Sequence, residues 1–259
     1  MTLILQSSLP FAPWMSPVTA RLPGVQPVQG DDWLRVDDAY AAQMALRDAL
    51  IADQRPIVVA ALPEGQEAVA ELYDTVLTRL AQQPGYRIGA VEARCPDGRM
   101  VVLDASQPFA TLGRLVQEDL CLLQKQGDEH VLTGAVLCFP ASWTLAEKLG
   151  RPLMGIHRPV ESYDPDIARR VQRMFDALRP EQPLWRMNAL VYADPALHQP
   201  RRELDPRTER RGGQFLRAER QTLLRLPRTG AVLFAIHTYI VALSSLTEAE
   251  RAGLIAARL

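Results

Sequence analysis

Two runs, "QFLRAERQTLLRLP" and "GAVLFAIHTYIVAL", joined through Pro227-Arg228-Thr229-Gly230, constrain the fold more than any other feature of this chain. Each is long, apolar on at least one alternating face and bounded by turn-forming residues, which is the pattern of a β-hairpin. Strands joined by so short a turn are antiparallel, so the sheet that holds them is antiparallel at its centre. Further strands are predicted in "LWRMNALVYA", in "HVLTGAVLCF", and in "YRIGAVEARCPDGRMVVLDA", where Pro96-Asp97-Gly98 marks a second hairpin turn.

Helices are expected between these strands. Met44 and Ala45, with Ala41, Asp48 and Ala49, have helical spacing, and Asp37 or Asp38 supplies the N-cap. Val69, Leu72, Tyr73, Val76, Leu77 and Leu80 define a second helix that Pro84-Gly85 ends. A third is predicted over "FATLGRLVQEDLCLLQKQ", closed by Gly127, and a short one from Ser142 to Lys148, terminated by Gly150. His157 follows on a loop. Asp164 then precedes a helix over 165–179, with Pro165 in its first position. Thr247 and Glu250 form a capping box for a closing helix. Hairpins mixed with helices, without strict strand-helix alternation, define an α+β fold with an antiparallel sheet.

The expected organisation is one domain over residues 1–259: an N-terminal wrap over 1–36, a core over 37–245 and a C-terminal helix over 246–259. The wrap carries Pro10, Pro13, Pro17, Pro23 and Pro27, which block regular helices and central strands. A formal net charge of -1 gives no electrostatic attraction for nucleic acid. The N-terminal "MTLILQSSLPFAPWMSP" fits neither a signal peptide nor a membrane span, so a cytoplasmic protein is expected. Cys95, Cys121 and Cys138 are widely spaced and read as buried thiols in a reducing compartment.

Strand alternation places Arg220 and Thr222 in one row and Glu219 in the other. A guanidinium on an apolar face requires an anion, either a protein carboxylate or a ligand carboxylate or phosphate, to which Thr222 could add a hydroxyl. His237 interrupts an apolar strand and reads as a core or pocket-edge histidine. Arg186 and Asn188 share a face opposite Trp185 and Met187, lining a polar pocket or meeting water. In "RRELDPRTERRGG" five arginines among three acids read as a solvated loop, with docking of an acidic partner as the alternative. His157 lies between apolar Ile156 and a proline at 159; it reads as a surface histidine or as a single axial haem ligand.

Taken together, "MGIHRPVESYD", "LRAERQTLLRLPRTGAVLFAIHTYIVAL" and "WLRVDDAY" resemble the family of the haem-dependent oxidative N-demethylase α subunit, over roughly residues 10 to 245. The resemblance implies a PAS-like antiparallel sheet of five strands flanked by helices, and haem b with its iron held by His157. It makes Arg220 a candidate partner for a propionate or an active-site anion, with Thr222 and His237 as further cofactor contacts. Glu219 and Arg220 become the candidates for proton handling and electrostatic stabilisation. The chain departs from the family pattern at Glu161 and at His237, where proline and arginine are usual. The implied reaction is oxidative N-demethylation of a small secondary amine such as dimethylamine. The chain carries no Gly-x-Gly-x-x-Gly after a strand and no clustered cysteines, so a separate reductase must deliver electrons within a multi-component, oligomeric assembly. The alternatives are a PAS-like haem sensor or binding module without catalysis, and a domain of the same fold without haem.

Overall fold

A computed structural model describes residues 3–20, 23–157, 165–206 and 212–257. Its first elements are β1 (Gln26–Pro27), α1 (Tyr40–Asp53), α2 (Arg55–Val58), β2 (Val59–Ala61), α3 (Gln66–Leu80), β3 (Arg87–Ile88), β4 (Glu92–Arg94) and β5 (Met100–Val102). There follow α4 (Pro108–Gly113), β6 (Asp119–Gln126), β7 (Glu129–Val136), α5 (Leu145–Lys148), α6 (Leu153–His157), α7 (Pro165–Ala177), β8 (Leu184–Tyr192), β9 (Phe215–Arg225), β10 (Val232–Ala242) and α8 (Glu248–Ala256). Seven strands form one sheet in the order β1-β8-β9-β10-β6-β7-β2, and β3-β4-β5 form another. Every pairing is antiparallel, and the fold is α+β. Among the described residues no helix is long and apolar enough to cross a membrane.

The long hairpin forms as its sequence dictates. β9 and β10 pair from Phe215↔Ala242 to Arg225↔Val232, and the turn closes with Leu226 N–H on the Ala231 carbonyl at 2.8 Å. Gly230, at φ 71°, occupies the left-handed region that other residues resist.

The large sheet is buried on both faces. On β6, Leu120 and Leu122 pack with Met44 and Ile51 of α1, Leu72 and Val76 of α3, and Phe109 and Leu112 of α4. Cys121 and Leu123 point the other way, into a cluster with Leu153 of α6, Phe175 of α7, and Leu178. This double burial explains the largest error of the sequence reading. The helix expected over "FATLGRLVQEDLCLLQKQ" ends at Gly113, and its second half is strand β6. A strand covered on both sides is apolar without alternation, so periodicity does not separate it from a buried helix. Gly127, at φ 60°, turns the β6–β7 hairpin and caps no helix.

Other boundaries also moved. The N-cap of α1 is Ala39, while Asp37 Oδ1 accepts from the Ala39 N–H at 2.9 Å and Asp38 Oδ2 from Ser7 N–H. The buried side of α1 is Tyr40, Gln43, Met44, Arg47, Leu50 and Ile51; of the residues whose spacing marked the helix, Met44 is buried and Ala41, Ala45 and Ala49 are exposed. Arg47 lies inside because Asp119 Oδ1, at 2.7 Å, and the carbonyls of Gly113, Gln117 and Glu118 satisfy its guanidinium. Thr144, not Ser142, occupies the N-cap of α5; Ser142 sits at φ 65°. His157 ends the one-turn helix α6 where a loop was expected. Pro159, Glu161, the cap at Asp164 and the arginine-rich stretch over 207–211 lie outside the described residues.

The proline-rich N-terminal segment wraps the sheet and adds only the two-residue edge strand β1. It also finishes an open edge. β10 runs past the end of its pairing with β6, and there Gln6 donates to the Thr238 carbonyl and accepts from Ile240 N–H at 2.8 Å. At the other terminus the capping box is present: Thr247 Oγ1 accepts from Glu250 N–H and Glu250 Oε2 from Thr247 N–H. Thr247→Ala is expected to cost about 1 kcal/mol. A lowered urea midpoint at unchanged slope would register it.

Candidate functional site

α6 carries His157 toward the face of the sheet that holds Cys121, Leu123 and Phe234, with Ile156 and Trp143 packed against that cluster. The imidazole is half-buried, and its Nδ1 lies 2.9 Å from the Leu153 carbonyl one turn earlier. A carbonyl only accepts, so Nδ1 carries the proton and the ring lone pair belongs to Nε2. Burial pushes the pKa of His157 down, and the charges of Lys148 and Arg186 add to that effect against the Leu153 hydrogen bond. The ring is therefore neutral at neutral pH. Lys148 also fixes the helix end, donating to the Ile156 carbonyl at 2.7 Å and to Glu203 at 2.6 Å.

Register and alternation put Arg186 and Asn188 of β8 on this same face as Glu219 and Gln221 of β9. They form a polar ladder. Arg186 Nη1 donates to Gln221 Oε1 at 2.9 Å, Gln221 Nε2 to Glu219 Oε2 at 3.3 Å, and Arg217 Nε to Glu219 Oε1 at 3.1 Å. The Nε of Arg186 is buried without a hydrogen-bond acceptor among the described residues, and desolvation pulls the pKa of the side chain down although Glu219 opposes that. A guanidinium stays charged even so. Arg186 is thus a cation with an unmet donor, close enough to His157 for its charge to act on the ring. The alternation of "LWRMN" places Arg186 on a polar face, but sequence alone does not separate a pocket from solvent.

Arg220, Thr222 and His237 occupy the opposite face. Arg220 Nη1 donates to Thr222 Oγ1 at 3.0 Å, and its guanidinium lies 5.0 Å from the centre of the Trp185 ring. His237, 1% exposed, is bound at both nitrogens, to Glu118 Oε1 at 2.8 Å and to Asp37 Oδ2 at 3.0 Å. Burial alone would lower its pKa, but Glu118 and Asp37 overcome that and push it up to about 9. Of the residues singled out from sequence, the structure therefore places Glu219 on the His157 side and separates Arg220, Thr222 and His237 from it by the sheet.

A cavity of about 210 Å³ and an open cleft of about 860 Å³ both lie against that second face, and neither is lined by His157. Among the described residues no three His, Cys, Asp or Glu side chains converge on a metal position. The three cysteines are buried and free, and burial raises the Cys138 thiol to about 12.

Fold and site together define an α+β protein whose sheet is faced by a neutral, backbone-anchored imidazole and an undersatisfied guanidinium. A family model described as haem-dependent oxidative N-demethylase, alpha subunit-like matches residues 24–259, nearly the whole chain. The chain belongs to that family. Its description names haem dependence, an oxidative N-demethylase and an α subunit, a term that implies other subunits. The donor set of the His157 face fits such a group. A metal-ligating histidine characteristically gives its other N–H to a carbonyl or carboxylate, as His157 does to Leu153, and Arg186 has the free donor that a propionate takes.

Proposed function

We propose that this chain is the haem subunit of a multi-component cytoplasmic oxygenase that demethylates a small secondary amine such as dimethylamine. One observation carries the reading: the Leu153 carbonyl fixes the His157 tautomer that places its lone pair on Nε2, beside an apolar cluster. The five long strands β6 to β10 with flanking helices accord with a PAS-like haem domain spanning the chain.

His157 would hold the iron of haem b, Arg186 would pair with a propionate, and Ile156, Trp143 and Phe234 would supply apolar walls. When bound, haem supplies the redox chemistry that oxidises the methyl carbon next to nitrogen. The carbinolamine so produced divides into formaldehyde and the shorter amine once a proton passes from oxygen to nitrogen. Glu219 is suited to handle that proton or to pair with the ammonium form of the substrate. Arg217 and Gln221 hold its carboxylate in place, and its side chain is only 12% exposed. Electrons come from a separate reductase.

The absorption spectrum of the freshly purified chain is expected to show an intense Soret band, and formaldehyde is expected from dimethylamine once a reductase is supplied. A chain without the band overturns the haem reading. A band without formaldehyde under those conditions favours a sensor, and turnover by the lone chain with a nicotinamide cofactor overturns the multi-component arrangement.

A further inference from the structure

We propose that the face of the sheet opposite His157 carries a second ligand site, which binds a small monocarboxylate with an apolar body between Arg35 and Arg220. The cavity of about 210 Å³ there is lined by Pro10, Phe11, Arg35, Trp185, Met187 and Arg220. Four of these walls are apolar or aromatic; the other two end in guanidinium groups. Nothing in the proposed oxidase chemistry uses them.

The arginines are short of acceptors. Arg220 is 4% exposed and offers five N–H donors, yet among the described residues its side-chain acceptors are Thr222 Oγ1 at 3.0 Å and Asp32 Oδ2 at 3.5 Å. Asp32 is committed more closely to Arg35, whose guanidinium also interacts with the Tyr239 hydroxyl, while the Arg35 Nε is buried with no acceptor among the described residues. The charge of Arg35 also acts against that of Arg220. Of the other nearby acids, Asp37 and Glu118 bind His237 and Glu118 Oε1 also accepts from Arg35 N–H, while Glu118 Oε2 is buried without a hydrogen-bond partner among the described residues. Two guanidiniums facing one apolar cavity suit a carboxylate, which accepts from both while its body packs on the rings. Trp185 is already arranged for this, with Arg220 over its face and Phe11 edge-on at 5.5 Å.

The approach restricts the charge of the ligand. The cavity shares Pro10 and Arg35 with the open cleft, whose lining sets Asp31, Asp32, Asp37 and Asp38 against Arg35 and Arg79. Those carboxylates repel dianions and polyanions more strongly than a single negative charge. The ligand class is accordingly monocarboxylate, not phosphate or dicarboxylate.

Titration of the full chain with benzoate, benzamide and inorganic phosphate tests the site, with Trp185 fluorescence and calorimetry as readouts. Benzoate is expected to bind at one equivalent, and benzamide and phosphate about tenfold or more weaker, the scale of one lost charge-assisted contact. Arg35→Gln and Arg220→Met should each weaken benzoate by about the same factor. Arg35 is part-exposed, so its variant keeps the experiment informative if Arg220→Met does not fold. His157→Ala should leave benzoate affinity unchanged, which makes the result independent of haem. Absence of benzoate binding, equal affinity for benzamide, or undiminished affinity in Arg35→Gln overturns the proposal.

Discussion

Replacing His157 with alanine is expected to abolish the Soret band of the purified chain while leaving it folded. A haem iron needs a single protein nitrogen, so loss of that nitrogen removes the whole of the axial bond. His157 is half-buried at the end of a one-turn helix, so its loss is expected to cost no more than an ordinary single substitution, about 0.5–3 kcal/mol. Exogenous imidazole added to His157→Gly should restore the band, because the cavity left behind accepts the missing ring. An unaltered Soret maximum and haem stoichiometry in His157→Ala would falsify the assignment of this ligand.

Replacing His237 with leucine is expected to destabilise the protein by about 3–5 kcal/mol, because it leaves Asp37 and Glu118 without their shared cation. Glu118 would keep only the Arg35 backbone N–H on Oε1, since its Oε2 is buried without a hydrogen-bond partner among the described residues. The wild-type protein should show the same interaction as a pH dependence. The folded pKa of His237 is raised from 6.5 to about 9, so its contribution is full below the ordinary histidine value and fades as pH rises through about 9. Asp37 acts in the opposite sense: its pKa is lowered, and its contribution disappears as pH falls below the normal carboxylate range. Melting temperature should therefore decline between pH 7 and 10 in the wild type, and this decline should be much shallower in His237→Leu. Parallel profiles in the two proteins would count against a buried imidazolium.

The elements legible in the sequence were those whose signals are local. The β9–β10 hairpin, the helix α7 opening at 165 and the capping box at Thr247 each depend on residues a few positions apart, and each formed where expected. β6 was misread because its environment is two-sided, a property that belongs to the assembled layers. α6 was missed because a single turn is too short for periodicity. For the site, alternation correctly assigned Glu219 and Arg220 to opposite faces. It could not say which face His157 would meet, nor that Asp37 would reach His237 across 200 positions. Such contacts are fixed only in the assembled chain, as are those made when the wrap docks.

That docking separates ancestry from autonomy. The matched family region begins at residue 24, yet Gln6 seals the exposed end of β10 and the Trp14 indole donates to the Glu250 carbonyl at 2.9 Å, bracing α8. A polypeptide trimmed to the recognisable homology would forfeit a strand-edge guard, a helix buttress and the Pro10–Phe11 wall beside Arg220.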